Sequence, residues 1–117
     1  MRRDAMSILE RATKHFELQE VKQIEVPEWP DEKGNPTILY AEPLSLGDRK
    51  TLSKYAKEDD TEFLIRLIIM KARTSDGKAV FDLSDKPMLL TKVDPNVLNR
   101  IANDIAETAS VEVMSGN

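Results

Sequence analysis

The run Asp59–Arg73, DDTEFLIRLIIMKAR, sets the terms for the rest of the chain. It is the longest strongly apolar stretch, and its spacing predicts a helix. Asp59 and Glu62 are spaced as a capping box. The Asp59 carboxylate should accept from the Glu62 amide, and Glu62 should reach back to the amide of Asp59. Lys71 and Arg73 fall in the last turn, at the negative end of the helix dipole. At about 100° per residue, Glu62, Arg66 and Arg73 lie within about 40° of one another. Phe63, Leu64, Ile65, Leu67, Ile68, Ile69, Met70 and Ala72 take up the remainder, broken only by Lys71. A helix with so narrow a polar stripe has to be surrounded. At about 20 Å it is too short to span a bilayer. Its cover is therefore either the rest of this chain or a partner.

The flanking segments offer part of that cover. Residues 4–18 carry Ala5, Ile8, Leu9, Ala12 and Phe16 at helical spacing, with Glu10 and Lys14 paired on another side. His15 lies at the border of that stripe, with no acid or nucleophile spaced to work with it. Ile24 and Val26 alternate with polar neighbours, as in a strand with one buried face. Pro27 should end that strand or place it on an edge. A polar loop, Pro27–Pro36, follows. It holds Trp29 and turns at Gly34–Asn35. Thr37–Ala41 reads as the returning strand. A lone hairpin is marginal, so it must pack on a helix or pair elsewhere.

A second helix, Ser45–Lys57, starts with Ser45 and Asp48 at N-cap and N3 spacing. Leu52, Tyr55 and Ala56 form its apolar side. The short link to Asp60 predicts side-by-side, roughly antiparallel packing on the central helix. Ser75-Asp76-Gly77-Lys78 is a turn signal, and Ala79–Phe81 a brief extended segment. Residues 84–92 suit a short helix with Pro87 in its first turn. The last helix begins at Asp94 as N-cap and Pro95 as N1, with Val93 stapling onto Leu98. Its stripe is Val97, Leu98, Ile101 and Ile105. The expectation is one mainly α (α+β) domain over residues 1–117, a small helical bundle with one β-hairpin. Its parts are a helix at 4–18, a hairpin at 22–41, a helical core at 45–108, and a tail at 110–117 that frays for want of a cap.

Composition narrows the chemistry. The chain has no cysteine and one histidine, which removes thiol nucleophiles, disulfides and cysteine metal sites. No Gly-rich phosphate loop, GxSxG or HExxH occurs. Asp59, Asp60 and Glu62 are explained as a helix start, as are Asp82 and Asp85. Neither group has the spacing of a calcium loop. No enzyme activity, cofactor or metal is expected. The net charge of −4 and a pI near 5.1 argue against a general nucleic-acid binder. The basic side chains Arg49, Lys50, Lys54 and Lys57 read as a solvated helix face. Charged Glu10, Arg11 and Lys14 interrupt the N-terminus, which therefore lacks the apolar core of a signal peptide, and no membrane segment is expected.

Several short patterns recur in one order: Val26-Pro27-Glu28-Trp29, Pro43–Arg49, Asp76-Gly77-Lys78, Phe81, Asp85-Lys86-Pro87 and Arg100-Ile101-Ala102. Over roughly residues 20–107 this order resembles the tail assembly chaperones of long-tailed, siphophage-type bacteriophages. The resemblance rests on packing and turn residues rather than on catalytic ones. It implies a non-enzymatic assembly factor. Such a factor binds the long helical tape-measure protein, keeps it soluble in the host cytoplasm, and promotes tail-tube polymerisation without remaining in the mature virion. It further implies a homo-oligomer, in some cases a spiral, and a longer frameshifted form that recruits tail-tube protein.

A holdase of this kind needs spare apolar surface. On the central helix, Ile65, Ile69 and Ala72 lie about 180–240° from Phe63. With Trp29 they are the candidate partner-binding residues, for a neighbouring subunit or a tape-measure helix. The alternative is that they pack on the chain's own helices, and that Trp29 folds back as a lid. Rival functions are a structural tail or head-completion protein retained in the virion, and a small helix-turn-helix regulator that binds DNA.

Overall fold

The computed structural model describes the backbone of residues 2–57 and 59–115, and the side chains of residues 7–57 and 59–106. The elements are α1 (Arg2–Leu18), β1 (Lys22–Pro30), β2 (Pro36–Ala41), α2 (Leu46–Ala56), α3 (Asp60–Lys71), a 3-10 turn (Leu83–Asp85), α4 (Lys86–Thr91) and α5 (Pro95–Ser115). The fold is mostly helical, with a small antiparallel hairpin near the N-terminus.

The apolar run forms α3, and the chain itself supplies most of its cover. Ile65, Leu67 and Ile68 are buried, and so is Ala72 just beyond the helix. They join Ile24, Val26 and Leu39 of the hairpin, Leu52 of α2, Leu89 of α4, and Val97, Leu98, Ile101 and Ile105 of α5 in one core. The helix starts as its sequence requires. The Asp59 carboxylate accepts from the amides of Thr61 at 2.6 Å and Glu62 at 3.3 Å. The reciprocal half of the capping box is not formed. Glu62 turns instead to Arg66 at 2.8 Å and to the Lys86 ammonium at 2.6 Å. Two cations offer an ionised carboxylate stronger, charge-assisted bonds than one amide does.

The exit differs from the sequence expectation. The helix stops at Lys71, and Arg73 is extended rather than in the last turn. Arg73 exchanges backbone hydrogen bonds with Tyr40, both at 2.8 Å, and bridges Ala79 as well. The return from Thr74 to Lys78 uses Gly77 at φ +85°, a conformation that suits glycine. The hairpin needed a further partner, and Arg73 supplies it on the open edge of β2.

The hairpin spans the expected residues, 22–41, but its strands run further and its loop is shorter. β1 and β2 pair in register from Lys22↔Ala41 to Val26↔Thr37, lose register, and pair again at Pro30↔Pro36. Pro27 has no N–H to donate, so the ladder breaks there and a bulge absorbs the break. The loop shrinks to Asp31–Asn35, where the Asp31 carboxylate accepts from the amides of Lys33 and Asn35. Trp29, expected in the loop, therefore sits in the last part of β1.

α2 is capped by a complete box, with Ser45 and Asp48 each accepting from the other's amide. Its partner contacts confirm antiparallel packing: Lys71 at the end of α3 meets Asp48 at the start of α2, at 3.1 Å. α5 continues to Ser115, past the point where the tail was expected to fray. Between Pro95 and Gly116 there is neither glycine nor proline, so nothing in the sequence stops the helix. Gly116 and Asn117 of the expected tail lie outside the described residues.

α1 behaves differently from every other long element. Ile8, Leu9 and Leu18 are 64%, 64% and 79% exposed. The radius of gyration is 16.4 Å, against about 13–14 Å for a compact domain of this length. α1, largely in solvent, contributes to the excess.

Candidate functional site: an apolar cleft and a free helix face

α2 and α5 both lie against the central helix α3, and among the described residues an apolar cleft is left open between them. Three helical faces build it. From α2 come Arg49, Leu52, Ser53 and Ala56; from α3, Asp60, Phe63, Leu64 and Leu67; from α5, Ala102, Asn103 and Ala106. These positions recur at three and four residues, so each helix presents one stripe. The cleft has two lobes of about 350 and 390 Å³ that share Ala56, Phe63 and Ala106. Leu44 and Arg49 carry it on into a shallower recess beside Phe16 and Gln19. The cleft is apolar along its length, with Arg49 toward one end and Asp60 in the opposite lobe.

Its width has a chemical cause. The small side chains Ala56, Ala102 and Ala106 leave the flanking helices with little to fill the space above Phe63. The polar ties of the body run elsewhere. Lys71–Asp48 and Arg66 over the Tyr55 ring, at 4.5 Å, join α2 to α3. Glu62–Lys86 joins α3 to α4. Arg100 holds Glu28 in a fork at 2.6 and 2.7 Å, joining α5 to β1. None of these pairs crosses the cleft.

The same pairs shift the carboxylates. The Arg100 guanidinium lowers the Glu28 pKa from 4.5 to about 2. Lys86 first, then Arg66, holds Glu62 below its usual range. At Asp48, burial raises the pKa, but the Ser45 amide and Lys71 outweigh it and the net shift is downward. Asp82 is held low by Ser84, which donates to it from both its hydroxyl and its amide. These groups stay ionised as structural struts.

The residues proposed from sequence land in different places. Ile65 is 1% exposed and Ala72 fully buried, so neither is spare surface. The helical wheel marked their sector as free because it could not show the hairpin and α5 closing over it. Ile69 is partly buried against the same core. Trp29 is half-buried, edge-on to Phe81 with ring centroids 6.3 Å apart and planes at 86°. That is the lid arrangement rather than a protruding anchor. Sequence reasoning passed over the cleft residues Ala56, Phe63, Leu64, Ala102 and Ala106 as binding surface. Their signal was present: alanines at cleft-facing positions of two helices that flank a phenylalanine.

The second free surface is the α1 stripe. Ile8, Leu9 and Ala12 are exposed, and Phe16, 39% exposed, touches the recess at the end of the cleft. Among the described residues no group of three or more His, Cys, Asp or Glu side chains is placed to hold a metal ion. Among them, too, no helix is long and apolar enough to cross a membrane. No protein-family model, curated protein or solved structure matches the chain.

Proposed function

We propose that this protein is a phage tail assembly chaperone, and that the α2–α3–α5 cleft receives one amphipathic helix of the tape-measure protein at a time. The observation that carries the reading is the cleft itself. It is an open apolar groove on a charged domain, lined by one stripe from each of three helices, as helix-in-groove recognition requires. The ordered motifs from Val26 to Ala102 support the choice of client. The mechanism is reversible binding: the cleft shields one apolar face of the client helix, and many copies cover its length by multivalency. No catalysis is involved. The site of action is the host cytoplasm, and the mature virion lacks the protein. A longer frameshifted form would bring tail-tube protein to the same complex.

The helix-turn-helix alternative needs α3 as a reader of base edges. The exposed residues of α3 are Asp60 and Thr61 at its start, and an acid there repels phosphate.

The test is co-expression with the tape-measure protein of the same genome, followed by tagged pull-down. Wild type should keep the tape-measure protein soluble and co-purify in more than one-to-one ratio. Ala56→Arg, at an exposed cleft position, should fold and lose the client. A tape-measure protein that stays insoluble with wild type would refute the reading. Recovery of the protein in purified virions would favour a structural tail component.

A further inference from the structure

We infer that, without a client, the cleft of one copy is occupied by α1 of a second copy; this rests on the cleft being a helix acceptor, as proposed above. Among the described residues the same chain carries an uncovered helical stripe and an unfilled helical groove. The two match in length. Ile8 to Phe16 spans about 12 Å along α1, and the cleft wall from Arg49 to Ala56 about 10 Å. They match in character, Ile8, Leu9, Ala12 and the exposed part of Phe16 against Leu52, Ala56 and Phe63.

Charge sets the direction. Glu17 and Arg11 flank the α1 stripe on the helical wheel, six residues and about 9 Å apart along the axis. Arg49 and Asp60 stand in opposite lobes of the cleft. An α1 that enters with its C-terminal end toward Arg49 sets Glu17 near Arg49 and Arg11 near Asp60, and brings Leu9 over Ala56.

A chain's own α1 is not the occupant. Its C-terminal end touches the recess beside Phe16 and Gln19, and only residues 19–21 separate the helix from β1. From there the helix leaves the body with Ile8 and Leu9 in solvent. Area also favours a second copy. Two reciprocal docks bury twice the area of one, toward the roughly 1,600 Å² of a standard stable interface. The arrangement makes α1 a stand-in for the client, which the client must displace.

The chain has no native cysteine, so the test is clean. The full chain with Leu9→Cys is mixed with the full chain carrying Ala56→Cys, and oxidised without any tape-measure protein. Both positions are exposed, so both variants should fold. Disulfide pairs between the two variants should form at least tenfold faster than pairs of either variant with itself. Adding Ile8→Glu to the Leu9→Cys chain should abolish that preference. Equal rates for all pairs would overturn the inference. So would closure of a Leu9→Cys/Ala56→Cys double variant within a single chain at high dilution. If cross-linking fails while Ala56→Arg still loses the tape-measure protein, the acceptor role of the cleft stands and α1 docking falls. If cross-linking succeeds while the tape-measure protein does not bind, the docking stands and the choice of client falls.

Discussion

α1 and α3 are both helices with prominent apolar faces, yet they stand at opposite ends of the burial scale. In α3, Ile65 and Ile68 are 1% and 0% exposed; in α1, Ile8 and Leu9 are each 64% exposed. α3 is apolar over most of its circumference, so leaving it open would expose several large side chains at about 1.5–3 kcal/mol each. The hairpin, α4 and α5 close over that surface. α1 has one stripe and needs one cover, and among the described residues its own chain meets only the Phe16 end of it. The most hydrophobic helix is thus the least available for assembly. The helix that is less apolar overall but more sharply amphipathic is free to associate.

The sharpest way to break this contrast is to damage each helix in turn. Ile68→Ala should cost about 2–5 kcal/mol, read by urea denaturation, because it opens a cavity in the core. A cost below about 0.5 kcal/mol would mean that α3 is not the centre of the fold. Ser45→Ala removes the cap of α2, which forms one wall of the cleft. It should cost about 1 kcal/mol and weaken client binding along with stability. Ile8→Glu in α1 should change stability by no more than about 0.5 kcal/mol. It should still abolish self-association in sedimentation.

Acidity sharpens the contrast from another side. The struts of the body are carboxylates with lowered pKa values, so they bind protons less readily folded than unfolded. Their stabilisation is complete above the unfolded pKa of about 4.5 and is lost as pH falls toward the folded value of about 2 at Glu28. Thermal unfolding should therefore shift downward between pH 4.5 and pH 2. Glu28→Gln should flatten that slope modestly, since the pair is exposed and solvent-screened.

Much of the fold was legible because its signals are local. Ser45 with Asp48, Asp59, Asp94 with Pro95, and Gly77 each mark a helix start or a turn through one or two nearby atoms. The hairpin followed from the alternation around Ile24 and Val26. What the sequence hid is long-range. Arg73 left its helix because Tyr40, far away in sequence, had an unpaired backbone. Glu62 abandoned its cap because Lys86 arrived beside it. The candidate surface on Ile65 and Ala72 failed for the same reason: a helical wheel shows which residues share a face, not which element covers it. The cleft was missed because it is defined by small residues on two helices, and alanines carry little weight in a search for binding side chains.

The most direct test of this account is backbone hydrogen exchange as a function of protein concentration. Amides from Ile65 to Ile69 should exchange at the slow, global-unfolding limit at every dilution. Those of α1 from Ile8 to Phe16 should exchange quickly when dilute and become protected as copies associate, together with those of α2 from Leu52 to Ala56. Protection of α1 that does not change with dilution, or rapid exchange throughout α3, would contradict the division between a sealed central helix and a free, docking one.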